Sequence, residues 1–479
     1  MVNNISNRYS VFRTKGLRVK TIGVGLSIMA LIVAYMVIES KTTGIYKYIF
    51  VLPILFAIIN FLFLDIYNKI TIVTTIVIIM EFIRYVLTPV VLMKEKYPKG
   101  LYNYVFNSSK MYNTLVIMTI ELVVIYFVLY KYRGYSNTSN DDDLLIKKMV
   151  STKNYSKLRL SSYAIILFTL ILYCSFPAIR NSYSFIFSGE LDSLTYNTSI
   201  AMESLPSGVG WLGGVCGEIS RYILLEYILL RFFKSDCKKH KNKYVFLSII
   251  IVMVNILIVS SSMIISLLGS IVLLIQIYIF YPRYRKKFVL LGIIAGGIGG
   301  IILIYSYLQN VLTYHSLSQM LQDYTNGYYN IYQAQCAYDK CGLSIIEKIE
   351  MLFWGDGIAN ISPINIFFNV INSSDIFNNY LYGMKFNGGA VLPFCSQWTY
   401  YFTSIIGPFF SAVPIIYAKK IEKKWKNGDG NIVVLGMSSL VLALTPFMYN
   451  TPTLIHIVTM SIIPLWIASE MNARLVFRI

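Results

Sequence analysis

The chain is short of the residues that most enzymes use for chemistry. Three histidines (His240, His315 and His456) are too few and too scattered to build a metal site, so no metal is expected. Six cysteines follow no metal-binding spacing. Only Cys336 and Cys341 leave a disulfide bridge open, if their segment faces an oxidising space. Charged residues make up 14% of 479, against roughly a quarter in a soluble chain. Acids are scarcest, 23 against 42 lysines and arginines. No P-loop, kinase signature or strand-linked GxGxxG occurs, which leaves ATP-driven transport without support and implies no cofactor. No basic cluster is interleaved with base-stacking aromatics, which excludes nucleic acid as a partner.

Hydrophobic residues, by contrast, reach 56% and come in runs of about twenty. Such a run, at about 1.5 Å per residue, crosses a hydrocarbon core of about 30 Å. The runs predict spans at 21–38, 46–64, 70–93, 112–130, 161–179, 208–233, 244–260, 263–281, 288–307, 396–418, 431–449 and 454–470. The fold class expected is an all-α polytopic membrane protein with about twelve transmembrane helices. Residues 1–20 are expected as a polar, basic cytoplasmic tail, and 471–479 as a second one.

Positive charge orients the chain. With both termini inside, the inner loops and tails hold thirty lysines and arginines and the outer loops ten. The net charge of +19 is therefore a topology signal and a contact with anionic lipid heads. Two sizeable segments then face outward, 180–207 and 308–395. The second carries six acids against three lysines in a basic protein, and it is rich in Tyr, Phe and Asn. Aromatic faces stack on sugar rings and amides bond their hydroxyls, so Tyr324, Tyr328, Asn330 and Trp354 become candidate glycan contacts. The bland alternative is an interfacial belt of aromatics over a folded cap.

Ionisable groups within spans are costly in lipid and mark functional candidates. Glu81 and Arg84 share one helical face, Glu121 lies in the fourth span, and Glu218, Arg221 and Glu226 lie in the sixth. Two readings stand side by side. The acids and arginines pair and fix the spans against one another, or Arg84, Arg180 and Arg221, with Glu218 beside the last, line a vestibule for a lipid-carried pyrophosphate. Guanidinium presents a planar fork of donors that matches phosphate oxygens. Arg221 falls roughly 20 Å along its helix from Gly208, near the midplane. Asp356, Glu190 and His315 are the candidate bases for a hydroxyl proton.

The span number, the moderate outer loop after span 5 and the large one before three C-terminal spans together resemble one family. So do the YTNGYYNIY turn at Tyr324–Tyr332 and Gly388-Gly389 followed by QWTYYFTSIIGPFF at Gln397–Phe410. They are similar to the O-antigen and capsular polysaccharide repeat-unit polymerases, the Wzy family. The long loop holds no Arg, and Arg180 meets Gly189 after nine residues where some members show eleven. The resemblance implies a GT-C-like membrane glycosyltransferase with a large, partly helical extracytoplasmic loop. It implies transfer of the growing glycan from undecaprenyl pyrophosphate to the next lipid-linked repeat unit, at the outer face of a bacterial plasma membrane. Membrane lipids and a chain-length regulator are its implied partners. The alternatives are a lipid-linked oligosaccharide flippase and an O-antigen ligase. Related ligases use a histidine in the corresponding loop, where this chain has His315.

Overall fold

The computed structural model describes residues 2–94, 106–133, 160–176, 208–234, 238–256, 325–361, 370–382, 391–427 and 432–474, with short pieces between 273 and 322. Every regular element among them is a helix. In order they are α1 (Val2–Glu39), α2 (Val51–Leu62), α3 (Ile72–Phe82), α4 (Thr88–Leu92), α5 (Ser108–Lys131), α6 (Leu160–Ser175), α7 (Val209–Lys234) and α8 (Lys238–Ile256). The long polar interval contributes α9 (Tyr328–Cys341), α10 (Ile345–Glu350) and α11 (Ser373–Tyr382). The chain then continues through α12 (Phe394–Tyr401), α13 (Ala412–Asn427), α14 (Ile432–Met448), α15 (Thr451–Ile457) and α16 (Ile463–Arg474).

Five stretches of the described residues are long and apolar enough to cross a membrane: Lys20–Glu39, Gly44–Leu62, Ile72–Leu92, Ser108–Lys131 and Thr451–Ala468. Ser162–Ser175 and Val434–Met448 are shorter apolar helices. The basic start of the chain forms the first half of α1 and runs unbroken into the first apolar stretch. The stretch expected as one span at 396–418 is divided. The α12 helix stops at Tyr401, Phe402 leaves helical geometry, and a 3-10 turn at Gly407–Ser411 leads into α13. Gly407 permits this bend, since a Cβ there would lie 2.7 Å from the Thr399 backbone nitrogen.

One core joins α1, α2, α3, α5, α9, α13 and α14 through residues such as Ile45, Phe56, Val77, Ile125, Tyr332, Ile415 and Phe447. A second joins α7, α8, α14 and the α15–α16 region. The two ends of the bundle are distinct. At one end Lys20 pairs with Asp65 at 2.7 Å, and Lys419 of α13 donates to Thr71 at 2.6 Å at the start of α3. At the other end α9 meets the turn at Ile45 and the start of α5. Lys20, Asp65 and Thr71 thus gather at the end of the bundle opposite Ile45 and the start of α5.

Candidate functional site

The YTNG turn sets α9. Asn326 adopts a left-handed φ of 48°, and a Cβ on Gly327 would lie 2.1 Å from Gln322 Oε1, so only glycine fits beside that amide. Gln322 Oε1 accepts the Tyr329 backbone N–H at 3.1 Å, taking one of the free donors of the first helical turn. The helix ends at Gly342, which is left-handed with φ 56°.

Tyr328 and Asn330, expected on an outer surface, are turned into the bundle. Tyr328 is 1% exposed and its hydroxyl donates to the Ile45 carbonyl at 2.9 Å. Asn330 is fully buried, with Nδ2 donating to the Gln322 carbonyl. The Tyr332 hydroxyl accepts the Asn107 N–H, and Asn113 of α5 donates to Gln335 at 2.8 Å. The physical reason is that a ring in the core gains apolar burial while its hydroxyl still finds a backbone partner. Gln333 differs from these. It is fully buried, and neither its amide nitrogen nor its oxygen has a hydrogen-bond partner among the described residues.

Asp356, a candidate base, closes the Trp-Gly-Asp-Gly turn. Its Oδ1 accepts the Ser373 N–H at 2.8 Å and the Ser373 hydroxyl at 2.9 Å, while Gln397 Nε2 and the Tyr401 hydroxyl donate to Oδ2. Burial pushes this carboxyl above the ordinary Asp range, against the pull of those donors. Gln397 also accepts the Thr451 N–H at 2.8 Å, which ties the loop to the start of α15. Asp356 is thus a fully engaged latch among the loop, α11, α12 and α15. Trp354 beside it is 47% exposed, on a face shared with exposed Ile345, Ile346, Ile349 and Phe353.

Arg84 is fully buried and its Nη1 lies 2.8 Å from Glu121 Oε2, so the pairing reading describes these two residues. Glu121 Oε1 accepts the Ser411 hydroxyl at 2.6 Å, and Arg84 Nη2 points to Cys395 Sγ at 3.9 Å. Arg221 is half-buried on α7, and its buried Nε has no hydrogen-bond partner among the described residues. No ion pair to it exists among the described residues. Glu226 is buried on α7. Cys336 and Cys341 stand as separate thiols near and at the end of α9. The side chains of Glu218, Arg180, Glu190, His315 and Tyr324 lie outside the described residues.

Sequence reasoning passed over Gln333, Gln397 and Tyr401. Gln397 and Tyr401 fell inside a stretch expected as the tenth span, and only the break after Tyr401 reassigns them to the loop. No group of three His, Cys, Asp or Glu able to hold a metal occurs among the described residues. Comparison with known family models, curated proteins and solved structures finds no match to this chain.

Proposed function

We propose that this protein is a membrane glycosyltransferase that polymerises lipid-linked oligosaccharide repeat units at the outer face of a bacterial plasma membrane. The observation that carries the reading is Arg221, a half-buried guanidinium on an apolar helix whose buried Nε has no partner among the described residues. A cation there is costly unless an anion meets it, and the pyrophosphate of undecaprenyl-linked substrates is an anion suited to its fork of donors. The end of α9 that anchors near Ile45 supports the reading from a second side. Its helix buries an amide, Gln333, whose donor and acceptor capacity is unused, which suits a hydroxyl-rich ligand.

In this scheme Arg221 stabilises the departing pyrophosphate while a base takes the proton of the acceptor hydroxyl. Cleavage of the sugar–pyrophosphate bond drives transfer, so no nucleotide is consumed. Trp354 presents an indole face for a sugar ring, and Asp356 positions the loop. Glu190 and His315 stand as the bases. A second reading, a flippase for the same lipid-linked units, draws on the buried Glu81–Arg84–Glu121 group within the third and fourth apolar stretches.

Deleting the gene and running the surface polysaccharide on a gel separates these. A single-repeat product in place of the ladder is expected. Loss of all surface glycan, with repeat units held on the inner leaflet, refutes polymerisation in favour of the flippase. In the complemented strain Arg221→Ala is expected to abolish chain growth while the protein remains folded in the membrane. Normal chain length in that strain removes Arg221 from the mechanism.

A further inference from the structure

Glu81 has an environment unlike that of any acid used above. It lies in the middle of the apolar stretch Ile72–Leu92, it is fully buried, and neither carboxyl oxygen meets a hydrogen-bond donor among the described residues. The charged groups acting on it are Arg84 on its own helix and Glu121 on α5. Tyr85 and Tyr126 face the same region as neutral hydroxyls, bonded to the Met118 carbonyl and Asn60. Cys395 of α12 and Ser411 touch the pair from the other side. Among the described side chains of α13 the buried charges are Lys419 and Glu422, which bond each other near Thr71 at the far start of α3. Helices α2 and α14 bring no charge to this face.

Two carboxylates therefore share one guanidinium, and the guanidinium is in direct contact with Glu121 alone. An ionised Glu81 would be a second buried anion with neither a donor nor a cation in contact. Neutralisation by a proton removes that cost. We infer that Glu81 is a proton-binding site inside the membrane, neutral while Glu121 holds Arg84. The helix gives the site a way to respond. A π turn at Ile83–Leu87 contains Arg84, and such insertions loosen the regular ladder of hydrogen bonds. Loss of the Glu81 proton offers Arg84 a second anion. It weakens the hold on Glu121 and, through the Ser411 hydroxyl, on the turn that leads into α13. The inference does not rest on the glycan reading.

Infrared spectra of the full-length protein in phospholipid nanodiscs test it at neutral pH. The wild type is expected to show the carbonyl stretch of an unionised, water-excluded carboxyl, and Glu81→Gln is expected to lose that component. Gln reproduces a neutral Glu, so Glu81→Gln is expected to keep the wild-type unfolding temperature, whereas Glu121→Gln strands Arg84 and lowers it by several degrees. Persistence of the whole band in Glu81→Gln overturns the inference. So does a Glu81→Gln protein that fails to fold or melts as early as Glu121→Gln.

Discussion

Asp356 shows how a residue chosen for its chemistry becomes a residue that holds structure. In the sequence, a carboxylate between two glycines beside an indole stands as a candidate base for a hydroxyl proton. In the fold it receives donors from Ser373, Gln397 and Tyr401. Removing it leaves buried donors unsatisfied, at about 1–3 kcal/mol for each stranded group. Asp356→Ala is thus expected to expose the 345–400 region to limited proteolysis well before the rest of the protein. A digestion pattern like the wild type would contradict the latch. The pH dependence has a definite sign. Burial raises this carboxyl in the folded state, so the fold binds the proton more tightly than the unfolded chain. Stability therefore falls as pH rises from the ordinary Asp value of about 3.9 through the folded value. Thermal melts across that interval should decline in the wild type and flatten in Asp356→Asn.

At the scale of elements, the apolar helices were legible and the polar interval was not. Length and hydropathy place α1, α2, α3, α5 and α15–α16 because a membrane-crossing helix needs nothing beyond a sufficient apolar run. The boundary at Tyr401 was hidden because Trp398, Tyr400, Tyr401 and Phe402 read as apolar whether they lie in a span or in a packed loop. The burial of α9 was hidden for the converse reason. Its Tyr, Asn and Gln read as polar, but their partners, the Ile45 carbonyl, Asn107 and Asn113, are far away in sequence. Gly327→Ala is expected to push Gln322 off the first turn of α9 and speed hydrogen exchange across Tyr328–Cys341. Unchanged exchange there would contradict the close approach. Removing one partner of a buried pair costs about 3–5 kcal/mol, so loss of either Arg84 or Glu121 is expected to strand the other charge between the π turn at Ile83–Leu87 and α5.

For the whole molecule, the side-chain contacts mark two ends of the bundle. The Lys20–Asp65 and Lys419–Thr71 contacts lie at one end, and α9 docks at the other. The Glu81–Arg84–Glu121 group lies between them, and Arg221 stands on α7, outside that group. The proposed activity is the joining of lipid-linked units without nucleotide. Its most direct measurement supplies the purified protein, in proteoliposomes, with repeat units on undecaprenyl pyrophosphate taken from the deletion strain, and no nucleotide sugar. A ladder of longer glycans with release of undecaprenyl pyrophosphate is the predicted result. Repeat units that remain single, whether or not they cross the bilayer, would contradict it.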